Sequence, residues 1–277
     1  MIEQTENLYK NALKYGKNGK TKEAIAIYIL IIDLLKNESN KLNPTLVYAM
    51  FNLGVEYANI GEFEKSKEIH FELIDRYIHT KDEKVQESVL KTMNTLALNF
   101  AACKDFDNAT KIREKLVNYF QNSSNLEIIK SVISNMAILV VVYLREEKID
   151  EAMDIYKKFL EFSNNPMSDE VKEKATFSMF NIALALAKSD FVKEAIFVYE
   201  DFIEKFKYST NEVVLEQVAK AMYNLGLLYD GVGQAQDSIK IYHEFPNLFG
   251  KNESKTIQKI YEKAREYVKQ RDKIKKK

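Results

Sequence analysis

Apolar residues recur along this chain with a period of about 43 residues. Within one period Met50, Leu53 and Tyr57 stand at i, i+3 and i+7, which places them on one face of a helix. A mostly small residue, Gly54 in this copy, adjoins them at i+4. The methionines that mark the period, each 43 residues after the last, are Met50, Met93, Met136, Met179 and Met222. The pattern predicts a helix, helix A, that is repeated along the chain.

A second apolar face follows within each period. Ser66, His70 and Leu73 again have helical spacing, and turn-forming residues such as those at 58–62 (ANIGE) separate the two faces. Each period is therefore predicted to form a hairpin of helices A and B. Neither helix can bury its apolar face alone, so consecutive hairpins are expected to stack.

Six hairpins are predicted within a domain of residues 1–250. Their approximate bounds are 6–38, 42–80, 85–122, 128–164, 171–208 and 214–249. Residues 251–277 are predicted to form a basic C-terminal capping helix and tail, because residues 255–277 hold ten Lys or Arg and three Asp or Glu. The apolar residues of this segment share one stripe, as expected of a helix that covers an open end: Ile257, Ile260, Tyr261, Ala264 and Val268.

The low content of Gly and Pro supports an all-α fold. The chain of 277 residues has 8 Gly and 3 Pro, where average usage of roughly 12% would give about 33. Sheet folds draw heavily on these residues for their turns. The composition therefore excludes β-sandwiches, β-barrels and nucleotide-binding folds with glycine-rich loops.

The repeat resembles the tetratricopeptide repeat (TPR), most clearly in residues 52–57 (NLGVEY) and 22–28 (KEAIAIY). The resemblance covers residues 6–249, with a longer period than the common 34 residues, similar to kinesin-light-chain-type and bacterial TPR proteins. It implies a right-handed α-solenoid of about six hairpins. The extra residues are expected to lengthen helix A at its N-terminal end.

In proteins of this family helix A lines a concave groove, and the resemblance implies a partner-binding groove here. The implied groove residues are Tyr48, Phe51, Asn52, Val55, Lys91, Asn94, Leu98, Phe177, Phe180, Asn181, Leu184, Lys220, Tyr223, Asn224 and Leu227. The aromatic side chains suit apolar anchoring, and the asparagines suit hydrogen bonds to an extended backbone. The alternative is that the long helices close the groove and that these side chains become core.

No set of residues indicates catalysis or metal binding, so the chain is predicted to be a non-enzyme without cofactors. Gly19, Lys20 and Thr21 resemble the end of a phosphate-binding loop, but Lys14 stands where the first glycine belongs. The three histidines lack partners at metal-ligand spacing. Cys103, the single cysteine, is expected to be a small buried hydrophobe.

The charge balance points away from nucleic acid and membranes as partners. The chain has 41 basic and 41 acidic residues, and its longest apolar run has nine residues, at 136–144. With one cysteine and no signal peptide, a cytoplasmic location is predicted. The predicted function is that of a protein–protein interaction scaffold that binds a peptide or helix of a partner. An architectural subunit or sensor arm of a larger assembly stays an alternative, as does a homo-oligomer through the terminal helices.

Overall fold

A computed structural model describes residues 2–36, 42–163 and 168–275. Within these ranges the chain forms thirteen helices and no strand, in adjacent antiparallel pairs. The predicted all-α fold of six TPR-like hairpins with a capping helix is confirmed. The last residues of the predicted first and fourth hairpins, 37–38 and 164, lie outside the described residues, as do 276–277 of the predicted tail.

The A helices are longer than the B helices. The bounds are α1 Ile2–Lys17, α2 Thr21–Leu35, α3 Pro44–Asn59, α4 Phe63–Tyr77, α5 Glu83–Ala102, α6 Phe106–Phe120, α7 Leu126–Arg145, α8 Ile149–Ser163, α9 Asp169–Lys188, α10 Val192–Phe206, α11 Glu212–Gly231, α12 Ala235–Phe249 and α13 Lys255–Lys275. Helix α5 has 20 residues and starts ten before Met93, whereas α3 has 16 and starts six before Met50. Because both end nine residues after their methionine, the extra length lies at the N-terminal end, as predicted.

The chain forms two compact bodies, Met1–Ser131 and Val132–Lys277. In the first body α1 pairs with α2, α3 with α4 and α5 with α6, and α2–α3 and α4–α5 contacts join the hairpins. In the second body α9 pairs with α10 and α11 with α12, joined through α10–α11. Consecutive A helices also touch, α3 with α5 and α9 with α11. This contact places equivalent residues of neighbouring hairpins side by side.

The repeated apolar positions form the core. The methionines of the 43-residue series and the bulky residues of the B helices, such as Phe159, Phe202 and Phe245, are at most 1% exposed. The aromatic position of helix B is also buried, with Tyr28, Tyr156 and Tyr199 nearly inaccessible. Each hairpin thus buries one face of both helices, which is the main stabilising contribution in such a fold.

The small residue on helix A makes room for the ring on helix B. A methyl group added at Gly54 would overlap the His70 imidazole, and one added at Gly226 would overlap the Tyr242 ring. At these two glycines the neighbouring atoms therefore belong to the aromatic position of helix B.

The N-termini of the later A helices share a capping position with the same period. Each capping side chain accepts a hydrogen bond from the backbone N–H three residues on, at 3.0–3.5 Å, and satisfies a donor that the helix leaves free. The caps are Asp82, Asn125, Ser168, Asn211 and Ser254. Because Ser254 caps α13, the C-terminal helix continues the series as a further A helix.

Helix α13 covers the end of the second body, as predicted. It contacts both α11 and α12. The Tyr261 ring stacks on Phe245 at 6.3 Å, and the Tyr267 ring meets Tyr242 edge-on at 5.0 Å. Since Phe245 and Tyr242 are core residues of the last hairpin, α13 closes its apolar face.

Three local features concern Cys103, Pro246 and helix α7. Cys103 is exposed, because it is the C-cap of α5 and begins the turn to α6; the expectation of a buried cysteine was wrong. Pro246 lies inside α12. Helix α7 is long and apolar enough, by length and composition alone, to cross a membrane. The core helix of a soluble protein passes the same test, and Met136, Leu139 and their neighbours on one face of α7 are buried.

Candidate partner-binding face

The predicted groove residues of the second body lie on the adjacent helices α9 and α11. Phe177 is 42% exposed, Leu227 is similarly exposed, and Asn181 is also exposed. The other members are partly exposed: Phe180, Leu184, Lys220, Tyr223 and Asn224. Because α9 and α11 touch, we group these eight residues and call them the C-terminal face.

The predicted groove residues of the first body lie on α3 and α5, which also touch. Leu98 is 60% exposed and Lys91 is exposed. The other members are partly exposed: Tyr48, Phe51, Asn52, Val55 and Asn94. We call this set the N-terminal face.

Three aromatic residues of these faces pack against an aromatic ring on helix B of their own hairpin. Phe180 lies 6.1 Å from Tyr199 between ring centroids, and Tyr223 lies 5.8 Å from Tyr242. Phe51 stacks on the His70 imidazole at 6.0 Å. In each pair the helix B residue comes 19 positions later, so the contact repeats with the hairpin. One side of each ring is therefore packed, and the residue stays partly exposed.

The asparagines of the faces differ in what their amides bind. Asn52 donates to the Tyr9 hydroxyl and to the Tyr48 carbonyl, both at 2.9 Å. Asn224 donates to the Tyr199 hydroxyl at 3.1 Å. Burial raises the pKa of Tyr199, so its hydroxyl stays neutral at physiological pH. Asn52 and Asn224 thus already use amide hydrogens within the protein.

Asn181 differs from these asparagines. It is exposed, and its amide has no hydrogen-bond partner among the described residues. On α9 it follows Phe177 by one helical turn, and Leu184 and Ala185 come one turn after it. The C-terminal face therefore offers a free amide beside an exposed aromatic ring.

The basic residues of the C-terminal face are available for contacts. Lys220 is partly exposed and has no ion-pair partner among the described residues. Lys263 of α13, which follows it by 43 residues, places its ammonium group 6.0 Å from the centre of the Tyr223 ring. Lys263 therefore adds an ammonium group beside the partly exposed Tyr223 ring of this face.

Sequence reasoning missed face residues at both ends of the chain. Tyr9 on α1 lies 6.1 Å from both Tyr28 and Tyr48 between ring centroids, and Lys263 lies on the capping helix. Both stand in the repeat phase of predicted residues, Tyr9 with Phe51 and Lys263 with Lys220. Extending the repeat by 42 residues to the first helix and by 43 residues to the last helix would have found them.

The described part of the chain holds no group of three His, Cys, Asp or Glu side chains placed to bind a metal ion. His70 is buried, while His79 and His243 are exposed. The His79 ring meets Tyr119 edge-on, with Nδ1 3.4 Å from the Tyr119 hydroxyl.

No protein-family model matches the sequence, and no curated protein matches it either. Among solved structures, a candidate kinesin light chain from Podosopora anserina with nearly identical TPR-like repeats is 15% identical, with a TM-score of 0.49 over 81% of this chain and 97% of that one. BtubC from P. vanneervenii is 13% identical, with a TM-score of 0.48 over 87% and 86%. PilF from Pseudomonas aeruginosa is 17% identical, with a TM-score of 0.42 over 94% and 98%.

These likenesses, at low identity, concern the fold alone. The paired helices of this chain and their 43-residue period are those of a TPR-like repeat fold.

Proposed function

We propose that this protein is a non-enzymatic scaffold that binds a peptide or helix of a partner protein on the faces of its A helices. The observation that carries the proposal is the pair Phe177 and Asn181 on α9. Both are exposed one turn apart, and neither has a ring contact or hydrogen bond among the described residues. An aromatic anchor beside a free amide is suited to bind an apolar side chain and the backbone next to it.

The rest of the C-terminal face indicates what kind of segment would fit. Leu184 and Leu227 add apolar surface on neighbouring helices, and Lys220 adds an unpaired positive charge. A segment with apolar side chains and at least one carboxylate matches these groups. The N-terminal face contributes less to the proposal, since Asn52 and Asn94 already donate hydrogen bonds within the protein.

We further propose that the protein works in the cytoplasm. Cys103 is its single cysteine and lies exposed as a free thiol. Such a thiol persists in a reducing compartment. A second candidate function, that of an architectural subunit, is favoured by an exposed apolar surface on α2, whose residues are described below.

Site-specific photo-crosslinking in cells tests the binding proposal. A photoreactive phenylalanine analogue replaces Phe177 in one variant and Phe197 in a control. Both are exposed phenylalanines of the second body, but Phe197 lies on helix B of its hairpin, α10. The proposal expects a discrete crosslinked protein from position 177 and none from position 197. Equal crosslinking at both positions, or crosslinking at position 197 alone, would contradict it.

A further inference from the structure

The outer surface of α2 is apolar, and within the described residues α2 contacts mainly its neighbours α1 and α3. One side of this helix is buried through Ala24, Tyr28, Ile31 and Leu35. The opposite side exposes three large apolar side chains, the most on any described helix: Ile29, Leu30 (46% exposed) and Leu34. Exposed apolar side chains that are contiguous on one helix are typical of an interaction surface.

The fold does not require apolar residues there. The residues equivalent to Leu30 in the five later B helices are all charged: Glu72, Lys115, Lys158, Asp201 and Glu244. Those equivalent to Ala26 are charged in four of the five: Glu68, Lys111, Asp154 and Lys240, with Phe197 the exception. A charged outer face is thus the rule for helix B in this chain, and α2 departs from it.

The α2 surface is complementary to itself. Lys22, Ala26, Ile29 and Asp33 follow one another at i, i+4, i+7 and i+11, which makes a single stripe along the exposed side. If a second α2 packs against it antiparallel about a two-fold axis, Ile29 of each copy meets Ala26 of the other. Lys22 of each copy then meets Asp33 of the other at both ends. The small Ala26 lets the helices approach closely.

The charged ends of the stripe are available for this pairing. Lys22 has no ion-pair partner among the described residues. Asp33 pairs with Lys36 three residues on, but both groups are about half exposed, so that pair contributes little. Asp33 can therefore exchange its partner Lys36 for Lys22 of a second copy at little cost in free energy.

We infer that α2 is a homodimer interface, in which two copies of this chain pair antiparallel through the stripe Lys22, Ala26, Ile29 and Asp33, flanked by Leu30. The inference is independent of the partner-binding faces, which lie on A helices. One helix pair buries less surface than the roughly 1,600 Å² of a standard interface. We therefore expect a dimer that dissociates on dilution.

Sedimentation velocity over a range of protein concentrations tests the inference. We expect the wild-type chain to shift from monomer to dimer, and Leu30→Glu to raise the dissociation constant at least tenfold. Glutamate suits this phase of the fold, since Glu72 and Glu244 occupy it elsewhere. Lys115→Glu is the matched control at the same phase on α6, and it should dimerise like the wild type. Circular dichroism of each variant verifies that the helices remain.

Two charge variants test the antiparallel geometry. Lys22→Asp and Asp33→Lys should each be monomeric alone, because like charges then meet at both ends of the stripe. An equimolar mixture should form a heterodimer, because every end then pairs Asp with Lys. Both substitutions suit the helix dipole, since residue 22 lies in the first turn and residue 33 in the last.

A wild-type chain that stays monomeric at high concentration would overturn the inference, and so would a mixture of the two variants that stays monomeric. Sedimentation of the monomeric chain with vesicles of neutral and anionic lipid identifies a membrane as the occupant instead. Binding there, without any dimer in solution, would likewise overturn the inference.

Discussion

The Nε2 atom of His70 lies 3.2 Å from the carbonyl oxygen of Phe51 in the preceding helix. The last hairpin makes the same contact with a tyrosine, because the Tyr242 hydroxyl donates to the Tyr223 carbonyl at 3.0 Å. In the neutral imidazole one nitrogen donates a hydrogen and the other accepts. Nδ1 of His70 is buried and has no hydrogen-bond partner in the part of the chain that the structure describes. The histidine thus reproduces the tyrosine contact at the cost of one unsatisfied polar atom.

His70→Tyr is therefore expected to stabilise the protein. The phenol would donate to the Phe51 carbonyl and remove the unsatisfied nitrogen, whose burial costs about 1–3 kcal/mol. Space is available, because Gly54 stands under this ring as Gly226 stands under Tyr242. Chemical denaturation should show a gain on the order of 1 kcal/mol. The reverse change, Tyr242→His, serves as the matched control and should lower stability; a loss for His70→Tyr would contradict the equivalence.

The stability of the protein should also depend on pH through His70. Burial lowers the pKa of this imidazole below its ordinary value of 6.5. Below pH 6.5 the unfolded chain therefore binds more protons at this site than the folded chain. Unfolding free energy should fall as the pH drops from about 6.5 toward the lowered pKa. Denaturation curves from pH 8 to 5 measure this, and His70→Tyr should flatten the dependence.

The repeat itself could be predicted from the sequence because its pattern of apolar and small residues recurs in six hairpins. The five methionines of the series mark the second to sixth hairpins, and residues 22–28 mark the first. The state of the face residues could not be predicted. Whether the Asn52 amide is free depends on Tyr9, which lies 43 residues earlier in the preceding hairpin. The Tyr9 hydroxyl accepts a hydrogen bond from this amide. The sequence repeat assigns a residue to a face of its helix, but it does not show which side chain of a neighbouring hairpin that residue contacts.

The turns from helix A to helix B show a further regularity with an energetic consequence. Gly19, Gly61 and Gly233 have positive φ angles of 72°, 81° and 81°. The equivalent residues of the other hairpins also have positive φ: Lys104 (62°), Glu147 (60°) and Asp190 (63°). In residues with a Cβ this left-handed conformation costs about 1–2 kcal/mol. Glycine is thus the favoured residue at this position, but three hairpins have another residue there.

Glu147→Gly and Lys104→Gly should each stabilise the protein by up to about 1 kcal/mol, since glycine adopts the left-handed conformation without strain but loses more entropy on folding. Asp190→Gly should gain less, because aspartate tolerates this conformation better. Gly233→Ala, where no atom crowds the added methyl, isolates the conformational term and should be destabilising. Urea titrations measure all four. Equal stability of Gly233→Ala and the wild type would refute the argument.

The cap Asn211 should contribute more than an ordinary helix cap. Its side chain accepts from the Val214 N–H at 3.2 Å and donates to Glu173 on the preceding A helix at 2.8 Å. Asn211→Ala removes both contacts and should cost about 1–2 kcal/mol. Asn211→Asp keeps the cap but loses the donor and sets two carboxylates together, so it should also destabilise, and less at low pH. A stability of Asn211→Asp equal to that of the wild type would show that the contact with Glu173 contributes nothing.

Phenylalanine-to-alanine variants separate the binding face from the core. Phe202 is fully buried on α10, so Phe202→Ala should cost about 3–5 kcal/mol and lower the melting temperature strongly. Phe177 is 42% exposed and makes no ring contact, so Phe177→Ala should melt close to the wild type. Phe180 has one side against Tyr199, so Phe180→Ala should fall between them.

Binding measurements should rank the same residues differently. Once photo-crosslinking has identified the partner, Phe177→Ala should weaken its binding by about 2 kcal/mol or more, as loss of an aromatic anchor does. Asn181→Ala should weaken it by about 0.5–1.5 kcal/mol, the net value of one hydrogen bond. Isothermal titration calorimetry provides these values, with Phe197→Ala as an exposed control outside the face. A Phe177→Ala variant that melts as low as Phe202→Ala would mean that this ring belongs to the core. If it instead melts normally and binds the partner as tightly as the wild type, the C-terminal face is not the binding site.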